Sequence, residues 1–398
     1  GPKAGAESVT GILAQGPIFL ICLAFLLGAV VIIHELGHYL AGRWYGAAVE
    51  SFSIGFGASI FERKDSKNTR WRVNWIPLGG FVKFVGESQM PNDVGKVEQG
   101  PIGKPYGDLS VGARSIVALA GPAANFLLAV LLFTIFFAFR GTEQYDVYAY
   151  QVNKDYPAAA AGMQDGDIIK TVDGAPIRQV SDMVVITSMS SGRALPFEVQ
   201  RGDETLTLTV TPRREVRENQ LGQLVPQGTI GVVPAPLMES VQYRRYGPIE
   251  AVGMGVIETK DTVRHTVYML GRIITGKEPL ALMSGPVAIG DAGRRIVNRT
   301  MGAETVPLTT RLSALGWSAL QLCALISIGI GFFNLLPLPV LDGGHLVFNA
   351  YEAATGKAMP EKVQEVALMA GLGLLLTMFV FITWGDVLET GLFNGSAS

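Results

Sequence analysis

The chain has 398 residues, of which 48% are hydrophobic and 17% charged, with a formal net charge of −2. The charged fraction lies below the ~25% typical of soluble domains, which favours a membrane protein. The nearly neutral balance argues against the basic surface that nucleic-acid binding requires, so no nucleic-acid partner is expected. Cys22 and Cys323 both fall in apolar runs, which predicts small buried side chains rather than a structural disulfide.

Residues 1–15 are predicted to be an N-terminal tail, and its start, Gly1-Pro2-Lys3, is typical of the remnant of a cleaved tag. The apolar run after it is too long for the core of a signal peptide and has no small-residue cleavage site behind it. We therefore predict a retained transmembrane helix at residues 16–45.

This first helix ends in a His-Glu-x-x-His motif at residues 34–38. Positions i and i+4 share one face of a helix, so His34 and His38 can direct two imidazoles at one metal ion. Glu35 is placed to take a proton from a metal-bound water. A chance match, or two surface histidines on an ordinary helix, fits poorly because the chain has only four histidines and the flanking sequence is apolar.

Three further segments, 111–140, 312–346 and 363–388, are long and apolar enough to cross a bilayer, which takes roughly 20 residues. The connection after the first helix is rich in Lys and Arg, so the positive-inside rule predicts that it lies in the cytoplasm. Both ends of the chain and the segment between the second and third helices are then predicted to lie outside, on the opposite side of the membrane.

Residues 46–110 are predicted to form a membrane-associated, β-like region on the cytoplasmic side. Its runs 51–57 and 71–82 are aromatic, β-prone and broken by glycines. An exposed strand edge there could pair with an extended substrate. A peripheral amphipathic anchor is the alternative.

Residues 143–236 have the composition of a soluble domain. The pattern Ala-Ala-x-Ala-Gly-Met-x-x-Gly-Asp-x-Ile-x-x-Val-Asp-Gly, from Ala158 to Gly174, closely resembles a PDZ domain. The resemblance implies an α+β fold in which residues 228–231 form the carboxylate-binding loop of a circularly permuted form. Such domains bind a peptide or C-terminus as an added strand. Residues 237–311 are predicted to lie on the membrane surface, with His265 a solvated or capping residue.

The third apolar segment ends in a run broken by two prolines and two glycines, residues 333–345, at the predicted depth of the metal motif. A carboxylate at that depth is costly unless it is paired with a cation or metal. Asp342 is therefore the favoured third zinc ligand, with Glu50 and His345 as rivals.

Two asparagines in these helices are candidate substrate-binding residues. Asn125 follows Gly121 and Pro122 in the second helix, and packing or substrate binding could each explain it. Asn334 could donate a hydrogen bond to the substrate backbone or to a tetrahedral oxyanion, or it could cap or pack its helix.

These features together, the His-Glu-x-x-His, the Gly-Pro-x-x-Asn, the PDZ-like insert and the Asn-Leu-Leu-Pro-Leu-Pro-x-Leu-Asp-Gly-Gly run, closely resemble the site-2 protease family. The bacterial regulator-of-sigma-E-protease branch is nearest, and the resemblance runs from the first helix to the fourth. It implies an intramembrane zinc endopeptidase of the bacterial inner membrane, with ligands His34, His38 and Asp342 and base Glu35. Single-pass membrane proteins, such as anti-sigma factors or signal-peptide remnants, are the implied substrates. The best-known member of the branch carries two tandem PDZ domains, whereas one is recognised here.

The predicted fold class is thus an α-helical polytopic membrane protein with four transmembrane helices, a membrane-associated β-like region and an inserted extracytoplasmic α+β PDZ domain. A transporter with a structural metal is disfavoured because no paired inverted repeat is detected. A PDZ adaptor with a dead metal site is disfavoured because Glu35 and Asp342 are both present.

Overall fold

The structure is a computed structural model that describes residues 26–86, 100–218, 224–276, 297, 300–302 and 306–389. The chain divides into two compact units. The first comprises the described residues of 1–134, 252–263 and 290–381, and the second those of 135–251, 264–289 and 382–398. The predicted tail and the start of the first predicted span lie outside the described residues.

The helices, in chain order, are α1 (residues 26–44), α2 (Val111–Ile135, continued by a π-helical turn, Phe136–Arg140), α3 (Pro157–Ala160), α4 (Val180–Ser188), α5 (Pro248–Ile274), α6 (Leu308–Asn334), α7 (Asp342–Thr355) and α8 (Glu361–Glu389). Among the described residues, three helical segments are long and apolar enough to cross a membrane, Val111–Arg140, Leu308–Asn334 and Glu361–Thr383.

The strands are β1 (Val49–Lys64), β2 (Arg70–Phe84), β3 (Thr142–Gln144), β4 (Val147–Val152), β5 (Ile168–Val172), β6 (Ala175–Pro176), β7 (Leu195–Arg201), β8 (Glu204–Val210), β9 (Arg213–Glu218), β10 (Leu224–Thr229), β11 (Val232–Pro236) and β12 (Gln242–Arg244).

The segment predicted as one element at 312–346 consists of two helices. Helix α6 ends at Asn334, and Asp342 is the first residue of α7. Pro337 and Pro339 lie between the two helices, where each lacks a backbone N–H and disfavours helical geometry in the residue before it. Because of this break, Asp342 is the first residue of a short helix, whereas the prediction placed it near the end of a long one.

Small residues let α1, α2 and α6 approach closely in the first unit. A Cβ added at Gly37 of α1 would lie 2.3 Å from the carbonyl oxygen of Ala120 in α2. The Ser327 hydroxyl of α6 donates to the backbone carbonyl of Asn125 at 2.8 Å. Small side chains and interhelical hydrogen bonds are the interactions that associate helices in a membrane.

The sheet of β1 and β2 belongs to the same unit, and bulges fold both strands back on themselves. Ser51 pairs with both Arg70 and Lys83, and Ile54 pairs with both Val73 and Gly80. The start of β1 is therefore flanked on both sides by β2, and the end of β2 forms an outer row. Large apolar side chains of this sheet are exposed, as on surfaces that contact membrane or protein: Phe56, Ile60, Phe61, Trp75 and Ile76.

In the second unit, the domain of residues 143–236, here termed the inserted domain, is built on a sheet with strand order β11-β4-β5-β7-β8. Its inward-facing residues alternate along each strand, as the pleat of a sheet requires. In β7, Leu195, Phe197 and Val199 are all fully buried, whereas the residues between them are not. Helix α4 packs beside β10, where a Cβ added at Gly228 would lie 2.2 Å from the carbonyl oxygen of Thr187. The arrangement is an α+β fold.

An ion pair fixes the turn before β5. The Asp167 side chain is 1% exposed. It accepts hydrogen bonds from Arg201 Nε and Nη2, at 2.7 and 2.8 Å, and from the backbone N–H of Gln164 at 2.9 Å. Burial by itself raises the pKa of this carboxyl, but these hydrogen bonds outweigh burial and hold the pKa below its usual value. The charged form is therefore stabilised in the folded state.

This lowered pKa predicts acid sensitivity of the inserted domain. A carboxyl whose pKa is lower in the folded state contributes stability above its unfolded pKa of about 3.9, and that stability is lost as the pH falls through the folded value. We expect Asp167→Asn to lower the melting temperature of this domain by several degrees at pH 7, and to flatten its pH dependence below about pH 4. Hydrogen exchange at β5 and β7 in the full chain, followed as a function of temperature at pH 7 and at several pH values below about pH 5, measures both effects.

Asp173→Asn is the matched control, because its pair with Arg193 is 39–42% exposed and exposed pairs contribute little. Equal effects of the two substitutions would contradict the role given to Asp167.

Candidate metal centre

Three side chains from two helices converge in the first unit. His34 and His38 lie one turn apart on α1, with their Nε2 atoms 3.1 Å from each other. Asp342, at the start of α7, places Oδ2 3.1 Å from His34 Nε2 and Oδ1 3.3 Å from His38 Nε2. These residues form a group that could hold a metal ion.

The spacing of this group suits a small tetrahedral cation. Zinc binds imidazole nitrogen and carboxylate oxygen at about 2.0–2.2 Å, and ligands at that radius are separated by about 3.3 Å in a tetrahedron. The 3.1 Å between the two Nε2 atoms and the 3.1 Å from His34 Nε2 to Asp342 Oδ2 are close to that value, whereas the 3.3 Å approach of His38 Nε2 is to the other carboxylate oxygen, Oδ1. With one ligand atom taken from each residue, the three atoms lie within 4.8 Å of one another. Asp342 Oδ2 is buried, and the His34 Nε2 that lies 3.1 Å from it does not have the alignment of a hydrogen bond. A bound cation would compensate the buried carboxylate, so the donor set fits zinc.

One face of α2 surrounds the two imidazoles. Val117, Gly121 and Asn125 follow each other at intervals of four residues and therefore share that face. The Val117 carbonyl lies 2.7 Å from His38 Nδ1, and the Asn125 amide lies 3.2 Å from His34 Nδ1. A Cβ added at Gly121 would lie 2.3 Å from His38 Nε2 and 2.8 Å from His34 Cε1. Only glycine leaves room for both rings.

Two glycines place Asp342. A Cβ added at Gly343 would lie 2.1 Å from the carbonyl oxygen of Leu336, and one added at Gly344 would lie 2.4 Å from that of Leu338. Any larger residue would push the start of α7 away from the loop after α6. The Asp-Gly-Gly sequence therefore allows the close packing that brings the carboxylate to the histidines.

Glu35 lies beside the three converging side chains. Its Oε2 accepts a hydrogen bond from the backbone N–H of Val82, in the outer row of the β1–β2 sheet, at 3.0 Å. Glu35, the three converging side chains and Asn334 line one cavity of about 370 Å³. The sheet edge, the carboxylate and the candidate metal ligands thus face a common space.

The other residues named from the sequence have different surroundings. Glu50 pairs with Arg70 at 2.6 Å and Lys83 at 3.2 Å, so its carboxylate is engaged away from the histidines. His345 lines the cavity but is not among the three converging residues. Asn334 ends α6 at the cavity wall, whereas Asn125 is fully buried against His34.

The contributions of Gly121, Val117 and Val82 were not anticipated. The spacing of four residues between Gly121 and Asn125 puts both on one face of α2, and this is the sequence signal that could have indicated the role of Gly121. Backbone groups such as the Val117 carbonyl and the Val82 N–H leave no side-chain signature in a sequence.

Two solved PDZ domains align with part of the chain. They are those of the SdrC-like proteins of Listeria monocytogenes and Listeria innocua, with identities of 22% and 17% and TM-scores of 0.18 and 0.19. The alignments cover 22% and 25% of this chain, and 86% and 99% of those domains.

Relatives of similar length match nearly the whole chain. Metalloprotease MmpA of Caulobacter vibrioides is 35% identical over 384 residues, which cover 93% of this chain and 95% of the relative. A Mesorhizobium japonicum protein named "Putative zinc metalloprotease mll0638" is 36% identical over 375 residues, with coverage of 92% and 98%. The model of peptidase family M50 matches residues 22–378. The chain therefore belongs to peptidase family M50, the site-2 protease family, and is a membrane metalloprotease.

Proposed function

We propose that this protein is an intramembrane zinc endopeptidase that hydrolyses peptide bonds within the transmembrane segments of single-pass membrane proteins. The observation that carries the proposal is the convergence of His34, His38 and Asp342 beside Glu35 at one cavity. The apolar helices of the same unit support a membrane setting for this chemistry.

His34, His38 and Asp342 are the proposed zinc ligands, through the two Nε2 atoms and the carboxylate. Two imidazoles and a carboxylate are a ligand set of catalytic zinc sites, which leave a further position open for water or substrate. When bound, zinc acts as a Lewis acid towards water and towards a peptide carbonyl.

Glu35 is the proposed general base and acid. It takes a proton from the attacking water and returns it to the leaving amine. The Val82 N–H holds one oxygen of the carboxylate at 3.0 Å, which leaves the other oxygen available for proton transfer. Asn334, at the end of α6, is proposed to donate to the substrate backbone or to the oxyanion that forms during attack.

A helical substrate must unwind before its scissile carbonyl can be attacked, because a helix keeps that carbonyl hydrogen-bonded. The outer row of the β1–β2 sheet, residues 80–84, lies beside Glu35 and offers an edge on which an extended chain can add as a strand. We propose that the substrate binds along this edge, with the bond to be cut next to the carboxylate.

The proposed location is the bacterial inner membrane, with the inserted domain and both ends of the chain on the periplasmic side. The Lys and Arg residues between α1 and α2 support this orientation through the positive-inside rule. Anti-sigma factors trimmed outside the membrane and signal-peptide remnants are the proposed substrates. The inserted domain is proposed to act as a PDZ domain that binds a peptide or C-terminus.

Metal removal tests the proposal. The purified full chain is analysed for zinc and then incubated with a single-pass model substrate before chelation, after it, and after zinc is restored. We expect about one zinc per chain, loss of cleavage on chelation and recovery with zinc. His34→Ala should lose both zinc and cleavage, whereas His265→Ala, in α5, should keep both. Cleavage by zinc-free protein would contradict the proposal.

A further inference from the structure

We infer that Asn125 is a positioning residue that selects the tautomer of His34, by accepting the Nδ1–H on its side-chain oxygen and so leaving the Nε2 lone pair facing the metal site. The inference rests on the proposed function, because it concerns how one proposed zinc ligand is oriented. It gives Asn125 a role distinct from substrate binding or simple packing.

Burial makes the hydrogen bonds of Asn125 consequential. The residue is 0% exposed, and its amide lies 3.2 Å from His34 Nδ1. With the amide nitrogen facing the ring, nothing among the described residues donates to Asn125 Oδ1, which is buried. A buried acceptor without a donor destabilises the folded state.

The orientation of the amide decides which ring nitrogen carries the proton. If the amide nitrogen donates to Nδ1, a neutral imidazole carries its proton on Nε2, which then points at Asp342 and cannot bind a cation. If the amide is turned by 180°, its oxygen accepts from Nδ1–H instead. The turn gives the buried oxygen a donor and leaves Nε2 free to bind metal.

His38 shows the same arrangement with a group that cannot turn. Its Nδ1 lies 2.7 Å from the Val117 carbonyl, a pure acceptor, so Nδ1 carries the proton and Nε2 faces Asp342. Metal-binding histidines generally donate their second ring N–H to such a partner. Helix α2 thus presents one acceptor to each histidine, two turns apart.

The position of Asn125 is itself held. Ser327 of α6 donates to its backbone carbonyl at 2.8 Å. A Cβ added at Gly331 of α6 would lie 3.2 Å from the Asn125 Cβ, so the two helices are in close contact there. The side-chain amide can rotate about its Cβ–Cγ bond, but it cannot move away from the imidazole.

Zinc affinity measured by chelator competition tests the inference on the full chain. Asn125→Asp keeps an acceptor of the same shape, and we expect its affinity within a few-fold of the unaltered chain or tighter. Asn125→Leu removes the acceptor and should weaken binding by about 10–100-fold. Asn349→Leu is the matched control, since it removes another buried amide, in α7, that is not among the residues lining the cavity with the histidines.

A second measurement does not depend on how well Asn125→Leu folds. In zinc-loaded protein with ¹⁵N-labelled histidine, Asn125→Asp should move the Nδ1–H resonance of His34 downfield, because a carboxylate is the stronger acceptor. The Nδ1–H resonance of His38, which faces the Val117 carbonyl, should keep its chemical shift. An unmoved His34 resonance, or zinc affinity of Asn125→Leu within about threefold of the unaltered chain, overturns the inference. Failure of the unaltered chain to bind zinc would instead overturn the proposed function.

Discussion

Gly121→Ala should abolish zinc binding and, with it, proteolysis. The added methyl group would lie 2.3 Å from His38 Nε2 and 2.8 Å from His34 Cε1, well inside van der Waals contact. Both rings are confined between α1 and α2, so relief requires them to rotate away from Asp342. We expect zinc affinity to fall by more than about 100-fold, beyond the 10–100-fold cost of losing one hydrogen-bond partner of a ligand.

Gly112→Ala is the matched control on the same helix. A Cβ at Gly112 meets no atom within 4 Å in the part of the chain that the structure describes, so this variant should keep its zinc and activity. Metal analysis of both variants after gel filtration separates loss of the site from loss of the fold. Stoichiometric zinc in Gly121→Ala, held as tightly as in the unaltered chain, would show that the imidazoles do not occupy this space.

Glu35→Gln should remove proteolysis while leaving zinc in place. Glutamine has nearly the same shape and can still accept the Val82 N–H on its side-chain oxygen, so the local structure should persist. It cannot take a proton from water, and general acid–base catalysis contributes on the order of 10²–10⁴-fold. We therefore expect single-turnover cleavage of a transmembrane substrate to fall by at least that factor, with zinc content close to one per chain.

The control for this substitution is Glu62→Gln. Glu62 pairs with Arg72 in the β1–β2 sheet at an exposed position, so loss of its charge should have little effect on cleavage. Cleavage by Glu35→Gln at a rate near that of the unaltered chain would remove Glu35 from the proposed role. Loss of zinc together with cleavage would make it a structural residue of the site.

The sequence predicted those features that depend on local spacing. His34 and His38 share a helix face because of the 3.6-residue turn, and this holds whatever the helix packs against. The apolar segments, the family, and the presence of both β-rich regions also follow from local composition and motifs. The end of α6 was harder to place, because apolar residues continue past Asn334 and two prolines break the helix before the apolar run ends.

The sequence alone could not predict which distant segments of the chain lie next to each other. The candidate third ligands were Asp342, Glu50 and His345. Their contacts in the structure show which of them lies next to the two histidines. Glu50 is held by Arg70 and Lys83, whereas Asp342 lies within 3.3 Å of both histidines. Selection of a ligand depends on how α7 docks against α1, which is set by the backbone contacts of Gly343 and Gly344.

By itself, the sequence determined the reaction class of this protein, since two histidines one turn apart on an apolar helix, with a glutamate directly after the first, define what chemistry is available. Only the tertiary structure decided how those groups are held: a glycine that leaves room for two rings, an amide and a carbonyl that face their outer nitrogens, and a strand N–H on the carboxylate. The physical reason is that hydrogen bonds and excluded volume act over about 3 Å between segments tens to hundreds of residues apart, and no local pattern encodes that proximity.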